Sequence, residues 1–251
     1  MWERPLSPAW LDSARIWRFG VAYRKTRKAR RIGLSQVSAE AFHRNWSACY
    51  HVGNPVCLSF LSREEGFPAY DADALRESLS RLKERSAKTD PGTLGDLADM
   101  LAESGVVLQF VEAPKKFPLH GITRWTSNGN PVIQMTGRRK TDGFIIWTLY
   151  HELGHILNDG NVGMTVDYID ERLTANHDAE RLANAFAKDV LLGAEGLSLY
   201  HGLSDSASIR NAAQARGVCP GVVVNLMHRN RMLSYKWCND LLVDMVVPFS
   251  A

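Results

Sequence analysis

The sequence predicts an α+β protein, mainly helical, with a small three-stranded sheet packed on one buried helix that carries the chemistry. Three observations predict it. Apolar residues three and four apart recur over 71–88, 93–104, 178–192 and 206–216, the period of an amphipathic helix. Short β-branched or alternating runs stand together at 106–111, 121–125 and 131–135. Directly after them, apolar residues 143–150 lead into His151-Glu152-Leu153-Gly154-His155, an H-E-x-x-H pattern at helical spacing.

The elements follow in chain order. Residues 1–65 read as a basic, helical N-terminal region of weak periodicity, with Trp10, Trp17, Phe19, Tyr23, Phe42 and Trp46 as anchors. A second domain is expected over 66–251. Its first helix, 71–88, places Leu75, Leu79 and Leu82 on one face among charges. Asp90, Pro91 and Gly92 form a turn, and Thr93 can cap a helix through Leu94, Leu97 and Leu101. Residues 114–118 are a proline-bounded loop, and 127–130 a hairpin turn into the third strand. Pro131 fits a sheet edge, so 132–135 is the expected edge against which an extended peptide would lie. The buried helix begins at Thr141 or Asp142 and stops at Gly160. Gly154 inside it costs helix propensity, which is expected only where another backbone comes close. In 178–192, Leu182, Phe186 and Val190 form an apolar row and Ala183 and Ala187 a small-residue row beside it. Turns at Gly193 and Gly196, a helix over 206–216, a helix opened by Pro220 and a last helix over 236–246 complete the chain.

The H-E-x-x-H segment carries a specific chemistry. Histidines four apart on a helix project from one face, so His151 and His155 can share one metal ion. Glu152 stands at the edge of that face, where it can take a proton from an attacking water without being a ligand. The bland reading is a pair of core histidines satisfied by hydrogen bonds. A catalytic zinc site usually has three protein ligands and an open position. Glu180 is the candidate third ligand, because it starts the small-residue row on which two helices can approach. Its bland reading is a first-turn glutamate favoured by the helix dipole, and Asp178, His177 and Glu171 are competitors that spacing leaves open. His228 and Tyr200 are candidates for stabilising an oxyanion, though each reads first as ordinary core or surface. Thr148, one turn before Glu152, reads as a helix-internal hydroxyl.

Residues 148–157, followed by the Glu180-x-x-Ala183-Asn184 segment, resemble the ImmA/IrrE metallopeptidases. Residues 70–75, 102–107, 120–125 and 217–224 are similar to the version fused behind an XRE-type helix-turn-helix in HigA-like regulators. The likeness covers roughly residues 60–245. It implies a thermolysin-like core in which His151, His155 and Glu180 bind Zn²⁺, or Mn²⁺ or Fe²⁺ in its place, with Glu152 as catalytic base. It further implies that one regulatory protein, a repressor or an antitoxin, is the substrate. No complete helix-turn-helix precedes residue 60, so the DNA-binding half is expected to be missing or to belong to a separate chain.

Charge and cysteine content bound the remaining classes. Residues 1–60 hold ten Lys and Arg against three Asp and Glu, and the rest twenty against twenty-four, giving the overall +3. Arg24, Lys25, Arg27, Lys28, Arg30 and Arg31 concentrate the positive charge. They read either as a nucleic-acid or acidic-partner contact or as a solvated face. Cys49, Cys57, Cys219 and Cys238 are scattered with no C-x-x-C pair, the pattern of a reduced cytoplasmic protein. No apolar run approaches the ~18–20 residues of a membrane span, and Glu3 and Pro5 interrupt any signal-peptide pattern. The expected activity is therefore a zinc metallo-endopeptidase. Its rival is a non-cleaving regulatory or antitoxin module that uses the same fold to bind protein or DNA.

Overall fold

The computed structural model describes residues 67–111, 119–126, 128–137, 139–160, 164–168 and 177–248. The basic segment 24–31, the N-terminal aromatic anchors, Cys49, Cys57, Glu171 and the loop 114–118 lie outside them. In order come α1 (Ala72–Ser86), α2 (Thr93–Ala102), β1 (Val107–Phe110), β2 (Leu119–Trp125), β3 (Pro131–Met135), α3 (Asp142–Asp159), β4 (Met164–Tyr168) and α4 (His177–Leu192). A 3-10 turn at Gly196–Tyr200, α5 (Ser206–Ala215), α6 (Pro220–Arg229) and a 3-10 turn at Asn239–Leu241 follow. The class is α+β and mainly helical, as expected. No described helix is long and apolar enough to cross a membrane.

The expected strands form and are joined by β4, giving a four-stranded sheet in the order β1-β3-β2-β4. β3 pairs parallel with β1 and antiparallel with β2. This corrects the expectation that 132–135 is an edge: β3 is internal and all five of its residues are buried. Pro131 is nonetheless accommodated, because the first residue of a strand can lack a ladder N–H as readily as an edge residue can. Among the described residues the edges are β1 and β4.

Register decides what the sheet offers to α3. Leu108 pairs Ile133, which pairs Thr123, while Phe110 pairs Met135, which pairs Gly121. Residues directly opposite share a face. Leu108, Phe110, Ile133 and Met135 thus join the core with Ile145, Ile146, Leu149, Leu153 and Ile156 of α3. Thr123 and Gly121 stand on the same side.

Helix boundaries follow local chemistry. Asp71 caps α1 by accepting from the amides of Asp73 and Ala74, at 2.9 and 3.0 Å. Gly92, not Thr93, is the N-cap of α2; the Thr93 hydroxyl instead donates to the Lys88 carbonyl at 2.7 Å and accepts from the Asp90 amide at 2.9 Å. Thr141 caps α3 and Gly160, at φ 63°, ends it. On α4 the buried row is Ala179, Ala183, Ala187 and Leu191, while Leu182 is 44% exposed and Phe186 and Val190 are half-buried. The small residues win the buried face because the neighbouring helix comes too close for larger ones. No helix forms over 236–246. Cys238 takes a left-handed conformation at φ 58° and the chain beyond Leu241 is extended, pairing Asp244 with Thr141.

The close approach is at Gly154. A Cβ there would lie 2.8 Å from the Ala183 Cα and 3.0 Å from its carbonyl oxygen, so α3 and α4 touch backbone to backbone. Gly154→Ala gains up to about 1 kcal/mol of helix propensity but must force the helices apart, at a cost of roughly 1–3 kcal/mol. The expected result is a lower melting temperature and weaker metal uptake. A variant as stable as the parent would show that the two helices are not in contact at this point.

Candidate metal centre

The approach of α3 and α4 assembles the site. Glu180 lies one turn before Ala183 and Asn184 one residue after it, so both side chains reach the histidine pair on α3. The Nε2 atoms of His151 and His155 are 3.1 Å apart. Glu180 Oε2 is 3.2 Å from His151 Nε2, and its Oε1 is 3.4 Å from His155 Nε2. A tetrahedral ion bound at about 2.0–2.1 Å needs donors roughly 3.3–3.4 Å apart. The donor set fits such an ion. His151 and His155 are buried, and Glu180 is one-fifth exposed, leaving one side of the trio toward solvent.

The far nitrogens of both rings are engaged. His155 Nδ1 donates to Asp159 Oδ2 at 2.7 Å, and His151 Nδ1 donates to Asn184 Oδ1 at 3.2 Å. Both acceptors are oxygens, so each Nδ1 carries the proton and each Nε2 lone pair faces the partner ring and Glu180. This is how ligating histidines are commonly oriented. Without an ion, two lone pairs 3.1 Å apart repel, and a proton resolves the conflict. Burial alone would lower the His155 pKa, but Glu180, Glu152 and Asp159 outweigh it and raise it to about 9. Burial likewise opposes ionisation of Glu180, yet the two histidines bring its pKa down to about 2.

Glu152 is wholly buried beside this group. Its Oε2 accepts from the Thr123 hydroxyl at 2.6 Å, whereas its Oε1 has no hydrogen-bond partner among the described residues. Burial pushes its pKa above the ordinary carboxylate range, against the pull of His155, His151 and Thr123. A carboxylate with a raised pKa next to a cation site has the character of a proton carrier.

The four expected residues are thus brought together. Of the competitors for third ligand, His177 and Asp178 are exposed at the start of α4, with Asp178 3.5 Å from Arg181, and Glu171 lies outside the described residues. His228 Nε2 donates to the Trp237 carbonyl at 3.0 Å and the ring packs on Tyr235, as a core histidine does. Tyr200 is buried, and Thr148 is buried within α3. Sequence reasoning missed Asp159, Asn184, Thr123 and Gly121. Asp159 could have been found, since it stands four residues beyond His155 on the same helical face. Thr123 and Gly121 reach the site only through sheet register. No protein-family model matches this chain, and no curated protein matches it.

Two outcomes test the centre. Glu180→Gln should weaken zinc affinity sharply, read by competition with a chelator, because a charged oxygen donor leaves the trio. Parent-like affinity would remove Glu180 from the ligand set. The second concerns pH in the metal-free protein. The His155 pKa is raised from 6.5 to about 9, so its contribution to stability is complete below 6.5 and lost as pH rises through about 9. The Glu180 pKa is lowered from 4.5 to about 2, so its contribution is complete above 4.5 and lost as pH falls through about 2. At pH 7, zinc must displace the His155 proton, so calorimetry in buffers of different ionisation enthalpy should register about one proton released per ion. No release at pH 7 would mean that His155 is already neutral there.

Proposed function

We propose that this chain is a zinc-dependent metallo-endopeptidase of the ImmA/IrrE kind that cleaves one regulatory protein. The observation that carries the reading is the convergence of His151, His155 and Glu180 at ion-binding separations, with the buried Glu152 beside them. The resemblance around residues 148–157 and 180–187 adds the choice of a repressor or antitoxin as substrate. A Zn²⁺ ion held by the trio would lower the pKa of water toward ~7 and polarise a carbonyl.

The side chains supply the rest. Glu152 accepts the proton of the attacking water as it adds to the peptide carbonyl, then delivers it to the leaving amine. Asp159 and Asn184 keep the two imidazoles turned so that Nε2, not Nδ1, faces the reaction. A peptide is cut most readily when extended, and a sheet edge imposes that form by β-addition. Since β3 is internal, we assign the role to β4, which lies beside β2, the strand whose Thr123 holds Glu152. No described strand pairs with its outer side. The scattered cysteines and the reduced thiols of Cys219 and Cys238 fit a cytoplasmic setting.

The complete burial of Glu152 favours a second reading, in which the fold binds a regulator or DNA without cutting. Glu152→Gln separates the two. The amide keeps the shape but cannot accept the proton. Metal content and melting temperature should stay close to the parent's, while cleavage of a candidate regulator, seen as a discrete new fragment by mass spectrometry, disappears. A biological effect that survives this substitution would assign the chain to the binding class.

A further inference from the structure

Strand β2 meets the catalytic glutamate at two alternate positions, and the two contacts are complementary. Thr123 donates its hydroxyl to Glu152 Oε2 at 2.6 Å, both groups being buried. Gly121, two residues earlier on the same face, offers no side chain. A Cβ built there would lie 2.5 Å from Glu152 Oε1, 3.2 Å from its carboxyl carbon and 3.4 Å from Cγ; no other residue's atom is among the three nearest. One oxygen is therefore tied to the sheet, and the other occupies space left by a missing Cβ, with no hydrogen-bond partner among the described residues. A buried, unpartnered carboxylate oxygen is costly, and its persistence is intelligible if a group brought by water or substrate completes it.

We infer that Thr123 and Gly121 are positioning residues for Glu152: Thr123 fixes the carboxylate plane through Oε2, and Gly121 clears the room in which Oε1 remains available as the acceptor. Neither touches the reacting atoms. The inference rests on the peptidase reading, because only there does Glu152 need one free oxygen. Its logic is preorganisation: a base held in orientation before substrate arrives does not have to be ordered during the reaction.

The test uses the full chain loaded with Co²⁺, whose visible spectrum reports the metal's surroundings, titrated with acetohydroxamate as a probe. The hydroxamate hydroxyl needs a carboxylate acceptor beside the metal. The parent is compared with Thr123→Val, Thr123→Ser, Gly121→Ala and Glu152→Gln, after each is checked for a cooperative melt and for metal affinity. Thr123→Val should bind the probe about tenfold or more weaker, as should Glu152→Gln, with metal affinity near the parent's. Thr123→Ser keeps the hydroxyl and should restore binding, which a purely structural role for the threonine would not predict. Should Thr123→Val fail to fold, Gly121→Ala carries the comparison, since it disturbs Oε1 with the hydroxyl intact. Parent-like probe binding by Thr123→Val or Gly121→Ala, with Glu152→Gln weak, overturns the positioning role and leaves the peptidase reading standing. A parent that takes up no probe, or a Glu152→Gln that binds it like the parent, overturns both.

Discussion

The contact of Gly154 with Ala183 is the constraint on which the centre depends. Glutamate side chains are short, and two helices at an ordinary 8–10 Å separation set by leucines would hold Glu180 away from the histidines. With backbone against backbone, the carboxylate on α4 spans both Nε2 atoms, at 3.2 and 3.4 Å. The same approach explains why α4 buries alanines and leaves Leu182 toward solvent. It also explains why a residue that weakens a helix sits in the middle of the most buried one. The roughly 1 kcal/mol lost in propensity is exchanged for a geometry that no side chain at 154 would allow.

Electrostatics give the second constraint. Glu152, Glu180 and Asp159 crowd around two imidazoles in a site that is largely buried but open on one side. Buried charges of one sign are tolerated only when paired, and here the carboxylates around His155 hold its pKa up at about 9. A divalent cation would neutralise those carboxylates more fully than a proton, and His151, His155 and Glu180 are the residues that could hold it. The charge balance and the donor spacing are independent observations, and both favour an ion between the helices.

Much of this could be read from the chain because it is local. The histidine spacing, the glutamate between them, the demand for a close neighbour at Gly154 and the small-residue row that begins at Glu180 are all properties of single helices. What escaped is non-local. Pro131 has two structural meanings, and only pairing with β1 shows that it begins an internal strand. β4, five residues long between segments of mixed composition, offers too short an alternation to stand out. Thr123 and Gly121 acquire meaning from being two apart on the strand that faces Glu152, and nothing near them in sequence announces it. The choice of Ala179, Ala183 and Ala187 over Leu182, Phe186 and Val190 as the buried row reverses the usual preference for large apolar residues, and depends on the separation of a partner helix.

The end of the chain shows the same competition between local and tertiary demands. Residues 236–246 have enough helical character to be read as a helix, yet they serve α3 better when extended. The first amides of α3 need partners that the helix cannot supply. Asp142 donates its amide to the Val243 carbonyl at 2.8 Å, and Met245 donates to the Lys140 carbonyl at 2.7 Å. The buried Asp142 carboxylate accepts from the Gly143 amide at 2.7 Å, the Val243 amide at 3.0 Å and the Cys219 thiol at 2.8 Å. Burial pushes the Asp142 pKa up while these donors pull it down, and a negative charge at a helix N-terminus is further favoured by the dipole. A helix over the last residues would satisfy its own backbone and leave Asp142 and the start of α3 unpaired in the interior. Extended pairing satisfies both. It anchors α3 at its first residue, as Gly154 does in its middle, and a helix held at two points keeps two imidazoles fixed relative to the Glu180 carboxylate on another helix.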